Sequence, residues 1–279
     1  MHRSVRGAFL GLAALGMVAT ACSSSSSKSG SSSGSGASGA TTTIAAKQGG
    51  DLVVSAEQEP DCVDWIGSCA GAAWGTYTIG ANTMPRAYDF TDQSVFAPSP
   101  VLTGPADLVT TPTQKITYHI NPKAVWSDGQ PITSHDFKYT WDQIAHGKDI
   151  YDTTGYSQIA SVDDTDPHTA VVTMSSTFAD WKSLFGAFYG IYPSHLLEGK
   201  DRDALMKDGY TWSGGPWMLD HWTKGVEIKL VPNPQYWGKK PNLSSLTFKF
   251  LTDTAAEQAA FKSGQVLGVY PQAQPGGES

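Results

Sequence analysis

Apolar and polar positions alternate in several short windows of the chain, most of them flanked by glycine, proline or asparagine. "DLVVSA" from Asp51, "KITYHI" (Lys115 to Ile120) and "HTAVVTM" (His168 to Met174) carry the two-residue period of strands. "GGPWMLDHW", "VEIKLVPNPQYWG" and "LTFKFL" predict three more, the middle one closed by a Pro-Asn-Pro turn. Elsewhere the period becomes helical. In "VWSDGQPITSHDFKYTW" (Val125 to Trp141), Asp128-Gly129 supplies hairpin-type turn chemistry, and Thr133 stands three residues before Asp136 as a variant capping box. Phe137, Trp141 and Ile144 then recur at i, i+4 and i+7, which gives that helix one buried face. "DTAAEQAAFKSGQ" predicts a second helix with Gly264 past its C-terminus, and "FADWKSLFGAF" reads as a third, amphipathic one. Strands and helices mix without a repeat period, so the chain is expected to be α/β with an irregular order.

The stretch from Val125 to Trp141 holds Asp, Ser and His, which raises the question of a catalytic loop. Each polar residue has a structural use instead: Asp128 and Gly129 in the turn, Thr133 and Asp136 at the cap, His135 facing solvent. The acidic "DDTDP" before His168 predicts a solvated turn, because it lacks the D-x-[DN]-x-[DN]-G spacing of a calcium loop.

The first residues carry a different pattern. Arg3 and Arg6 precede an apolar run from Ala8 to Ala19, and "ATAC" ends at Cys22. This is an export signal over 1–21, with an apolar run shorter than the ~20 residues a spanning helix needs. Ala19-Thr20-Ala21 fits ordinary signal cleavage. The same residues with Cys22 resemble a bacterial lipobox, departing from it by Ala in place of Leu three residues before the cysteine. Cysteine number bears on the choice. Of three Cys, Cys62 and Cys69 lie close together in an oxidising compartment. If they pair, closing the loop stabilises by roughly 2.5 kcal/mol, and lipidation accounts for the odd Cys22. Two free buried thiols are the alternative. Residues 22–48 are dominated by Ser and Gly and read as a flexible tether. The "GSSSG" inside it matches a nucleophile elbow in letters only, because linker lies where that motif needs a strand and a helix.

A formal charge of −7, or −9 once the two arginines of the signal are removed, argues against a nucleic-acid partner. Nine Trp and few charges suit either an exported solute handler or an aromatic core.

The blocks "GGDLVVSAEQEPDCVDW", "YHINPKAVWSDGQPITSHDFKYTWDQI", "IYPSHLLEGK", "GGPWMLDHWTKGVEIKLVPNPQYWGKKPNLSSLTFKF" and "AAFKSGQV" occur in one order between Gly49 and Val269. In that order the chain resembles the family 5 extracellular solute-binding proteins of ABC importers, the oligopeptide-, dipeptide- and nickel-binding group. The resemblance implies a type II periplasmic-binding-protein-like fold, two lobes closing over ligand with a small extra domain on the first. It places 49–85 in lobe one, 86–189 in the small domain, 190–270 back in lobe one and 271–279 in a tail. Family members run on for about as long again into lobe two, so the chain is expected to be an N-terminal portion, whether fragment or truncated product.

The function implied is a lipid-anchored receptor that captures a peptide or similar solute and delivers it to a membrane permease, with no catalytic residue, cofactor or metal. The loop carrying Trp65, Ser68 and Trp74 falls at the cleft rim, making these the ligand-binding candidates. The seven His lack ligand spacing, although the family's nickel binders keep a metal in view. One alternative is an exported carbohydrate-active enzyme, with Trp65, Trp74, Trp212, Trp217 and Trp222 stacking on sugars and two of Glu57, Glu59, Asp61 and Asp64 as acid and base. Another is a non-binding truncated surface lipoprotein. With one lobe alone, the expectation is weak peptide binding, Trp65 and Trp74 on an open surface, and an unpaired sheet edge near Val226 to Phe250.

Overall fold

The alternating windows form strands, and among the described residues these pair into two four-stranded sheets and one short ribbon. The computed structural model describes residues 47–71, 73–186 and 190–269; Cys22, the 1–21 signal, nearly all of the 22–48 tether and the 271–279 tail lie outside the described residues. In chain order the strands are β1 (Asp51–Ala56), β2 (Tyr88–Phe90), β3 (Phe96–Pro98), β4 (Asp107–Val109) and β5 (Lys115–His119). They continue as β6 (Ile159–Asp166), β7 (Thr169–Met174), β8 (Trp217–Thr223), β9 (Glu227–Pro232) and β10 (Ser245–Phe250). The helices are α1 (Ser134–His146), α2 (Ser194–Leu197), α3 (Arg202–Met206) and α4 (Thr254–Lys262), with short helical turns over 68–71 and 73–83.

Sheet one runs β1-β10-β9-β8. Its parallel pair joins Asp51–Ala56 to Ser245–Phe250, residues 194 apart in sequence. β9 and β10 are therefore interior strands, and the unpaired edge expected near Val226 to Phe250 is not there: β10 is bonded on both sides. The outer side of β1 is met by the segment after α4, where Leu267 N–H donates to Val53 O at 2.7 Å and Ser55 N–H to Gly268 O at 2.9 Å.

Sheet two runs β4-β5-β7-β6, antiparallel throughout. α1 lies across β6 and β7 and buries Phe137 and Ile144 completely. Phe137 meets Tyr118 at 5.4 Å and Phe185 at 5.0 Å between ring centres. The turn before α1 forms as its residues require. Gly129 takes φ +86°, and Asp128 Oδ1 accepts from Gln130 N–H at 3.0 Å. Asp136 closes the capping box by accepting from Thr133 N–H at 2.9 Å.

Asp136 also does more than cap. It is 2% exposed, and its carboxylate accepts from Trp126 Nε1 (3.3 Å), Ser194 N–H (2.8 Å) and Ser194 Oγ (2.7 Å). His135, expected to face solvent, is held between Asp164 and Glu198. "DDTDP" is mostly strand: β6 runs through Asp166, and the turn is Pro167-His168. Asp163 and Asp166 accept from Thr165 N–H (3.0 Å) and His168 N–H (2.9 Å), so they serve the local backbone.

"FADWKSLFGAF" does not form its amphipathic helix; the described part holds one short turn, Trp181–Ser183. Tertiary contacts override the pattern. Phe178 N–H donates to Gln114 Oε1 at 2.7 Å, and Phe185 N–H donates to Tyr156 Oη at 2.6 Å. Phe185 sits at φ +54°, a value no right-handed helix accepts, with its ring fully buried.

Candidate functional site

The chain leaves β1 at the buried Ala56 and enters the loop that carries every ligand candidate named from the sequence. Cys62 and Cys69 are joined in a disulfide with Cα atoms 5.8 Å apart, inside the span a bridge requires. Between them Val63 to Ile66 point inward, and Ser68 is exposed. Asp64 is 1% exposed, and its Oδ2 accepts from Arg202 Nε at 2.7 Å. Tyr192 Oη donates weakly to Asp64 Oδ1 at 3.4 Å and accepts from Ile66 N–H at 3.2 Å. Burial pushes the Asp64 carboxyl up to about 6, helped by the Asp203 carboxyl and opposed by the Arg202 guanidinium.

Trp65 does not face an open surface. It is 2% exposed, and its indole N–H donates to Tyr210 Oη at 3.3 Å; that hydroxyl lies 2.6 Å from Thr83 Oγ1. The ring fits because the turns over 73–83 approach it through glycines. A Cβ on Gly75 would lie 2.7 Å from Trp65 Cζ3, and one on Gly80 would lie 3.1 Å from Cε2. Tyr210 in turn stacks on Trp212, with ring centres 4.1 Å apart and planes at 14°. Burial raises the Tyr210 phenol well above its ordinary range, so it stays neutral.

The acidic residues of the loop divide between scaffold and surface. Glu59 accepts from Trp222 Nε1 (2.8 Å) and Gly225 N–H (3.0 Å), tying the loop to the β8–β9 hairpin. Asp64 is committed to Arg202, and Asp61 is exposed. Trp212 and Trp217 are each 8% exposed, so two of the five tryptophans imagined as sugar platforms lie in the core with Trp65. That leaves Ser68, exposed, and Trp74, partly buried against the core, as the candidates with surface to offer. Among the described residues, no three His, Cys, Asp or Glu side chains gather as a metal site.

Beside this loop is a cleft of about 430 Å³ that sequence reasoning missed. Its lining includes Arg86, Asp89, Phe90, Pro216, Tyr236 and Trp237. Arg86 Nε pairs with Asp89 at 2.9 Å and Nη2 donates to Ala81 O at 2.7 Å; Trp237 Nε1 donates to Pro100 O at 3.0 Å. The volume is in the range of small-molecule sites. The signal for it is "NPQYWG", which places Tyr236 and Trp237 in a turn; only the fold brings Arg86 opposite them.

Residues 98–276 match the family model described as bacterial extracellular solute-binding proteins, family 5 middle. The oligopeptide-binding protein OppA of Mycobacterium tuberculosis is 33% identical over 182 residues, 62% of this chain and 30% of that protein. The periplasmic OppA of Salmonella typhimurium is 27% identical over 180 residues, 55% of this chain and 32% of that one. Among solved structures, the periplasmic EDTA-binding protein EppA is similar with a TM-score of 0.74 and 28% identity, over 82% of this chain and 45% of that chain. The fold also resembles AppA from Bacillus subtilis in complex with a nonapeptide, with a TM-score of 0.70, 19% identity and coverage of 79% and 44%. The chain thus spans under a third of the two OppA proteins and under half of the two solved chains. No helix among the described residues is long and apolar enough to cross a membrane.

Proposed function

The chain belongs to the bacterial extracellular solute-binding proteins of family 5, and we propose that it takes part in capturing a peptide or similar small solute for an ABC importer. Its fold is of the type II periplasmic-binding-protein kind. The family match over residues 98–276 is the observation that carries the reading. In it, 49–85 and 190–270 form lobe one and 86–189 the small extra domain. Ser68 and Trp74 line the ligand side, while Trp65 and Asp64 seat the loop from beneath. No catalytic group, cofactor or metal is assigned, and no nucleic acid is a partner.

Ligand in such a protein favours closure only through contacts that differ between open and closed states. Thermal melting of the intact chain with a peptide library, beside a sugar panel, tests the proposal. Stabilisation by peptides at millimolar concentration supports it; stabilisation by sugars alone, or turnover of a glycoside, overturns it.

Delivery to permease subunits and anchoring through a lipid on Cys22 complete the proposal. Supporting the anchor are "ATAC", the Ser/Gly tether and the pairing of the other two cysteines. More than one acyl chain makes such anchoring stable where a single chain is marginal. Mass spectrometry of the mature protein should find a diacylated N-terminal Cys22; an unmodified Cys22 in the medium refutes the anchor.

A further inference from the structure

Both ring nitrogens of His135 face carboxylates. Nδ1 lies 2.7 Å from Asp164 Oδ2, and Nε2 lies 3.1 Å from Glu198 Oε2. The three residues come from three places in the fold: the first turn of α1, strand β6, and the position just after α2. A neutral imidazole has one N–H and one lone pair, so it donates to one of these carboxylates and turns a lone pair toward the other. Only the imidazolium donates to both.

We propose that His135 is a proton-operated latch: protonated, it ties α1 to β6 and to the Glu198 segment together; deprotonated, it lets Glu198 go. The geometry selects Glu198 as the arm released. Asp164 is the closer partner, its side chain is 20% exposed, and Lys138 Nζ holds its other oxygen at 2.9 Å. Glu198 is farther, and its side chain is 60% exposed.

The charged groups around the imidazole favour the closed state. α1 contributes Lys138 and Asp142, β6 contributes Asp164, and the segment after α2 contributes Glu198; His195 is paired separately with Asp128 at 2.8 Å. Two carboxylates thus contact the ring, the Lys138 ammonium holds the far oxygen of Asp164, and Asp142 lines the same cavity while pairing with His146 at 3.2 Å. A cavity of about 240 Å³ lined by His135, Lys138, Tyr139, Trp141, Asp142 and Glu198 gives protons access. The hydrogen bonds the imidazole makes to Asp164 and then Glu198 hold it above its ordinary value, against its partial burial. A histidine raised in the folded chain stabilises fully below its unfolded value of ~6.5, and loses that stabilisation as pH rises through the folded value. The released segment leads within four residues to Arg202, the partner of Asp64, so the latch stands at the root of the loop that carries Ser68 and Trp74.

The test is NMR titration of ring-labelled histidines in the intact chain, with His135 assigned by its loss in His135→Gln. The His135 midpoint should stand above that of a free histidine and fall in Glu198→Gln, a substitution at an exposed side chain that leaves folding intact. Hydrogen exchange at residues 198–200, corrected for intrinsic rates, should speed up as pH rises through the midpoint in the wild type and be fast at all pH in Glu198→Gln. A midpoint at or below the free value, a midpoint unmoved by Glu198→Gln, or pH-independent exchange at 198–200 would overturn the latch.

Discussion

Replacing Asp64 with alanine removes the carboxylate from an ion pair whose two side chains are 1% and 4% exposed. The Arg202 guanidinium then stays buried and keeps only Asp203 (2.7 Å), Gln143 Oε1 (3.0 Å) and Lys148 O (3.3 Å). Breaking a buried pair by removing one partner costs roughly 3–5 kcal/mol in general, and the three surviving acceptors place this case at the low end, about 3 kcal/mol. For a folded region of this size that is a fall in melting temperature of roughly 6–12 °C.

Arg202→Met differs in its pH signature. It leaves a carboxyl that burial already pushes up to about 6, and that can escape its charge by taking a proton. A carboxyl raised in the folded chain binds its proton there first, so its contribution to stability falls as pH rises from about 4 through the folded value. Loss of the guanidinium pushes that value higher, so Arg202→Met should be milder at pH 5 than at pH 8. The double variant Asp64→Ala/Arg202→Met should cost less than the two single changes added. Urea unfolding followed by tryptophan fluorescence measures all four species. If both single variants lie within about 1 kcal/mol of wild type at pH 8, this pair is not what seats the loop, and the reasoning fails.

Gly75→Ala drives a Cβ to 2.7 Å from Trp65 Cζ3 and 3.0 Å from Pro60 Cβ, an overpacking that costs on the order of 1–3 kcal/mol. Gly104→Ala meets nothing within 4 Å and should melt like wild type; equal melting of the two variants would contradict the packing of Trp65. Asp136→Ala strands the indole N–H of the fully buried Trp126 and the N–H of Ser194, at about 1–3 kcal/mol for each group, whereas Thr133→Ala costs about 1 kcal/mol for the cap alone. Chemical denaturation that ranks Thr133→Ala as the worse would contradict the wider role of Asp136. Reducing the Cys62–Cys69 bridge, seven residues apart, should cost about 2.5 kcal/mol, and identical melting with and without reductant would count against it.

Strands β5 and β7 are legible because a strand with one face buried writes its period directly into the sequence. Tyr118 and Val172 point inward at 0% exposure, and their neighbours do not. The turn at Gly129, the cap at Asp136 and the stop at Gly264 are legible for a similar reason, since each satisfies backbone groups within a few residues. The end of β6 reads as a turn, because "IASVDDTD" spends four of its eight positions on exposed polar side chains. The Cys62–Cys69 loop is legible only as a location, not as a set of exposed side chains.

Which residues of that loop meet solvent was decided by partners far along the chain. Trp65 is buried by Tyr210, 145 residues away, and Asp64 by Arg202, 138 away. The pairing of β1 with β10 spans 194 residues, and the descent of Phe185 into the core against its own helical pattern depends on Tyr156. The sequence by itself determined where the chain turns, caps and alternates, because those hydrogen bonds close locally. The tertiary structure alone decided which side chains are scaffold and which are surface, because burial depends on what packs from elsewhere, and a local window holds no record of it.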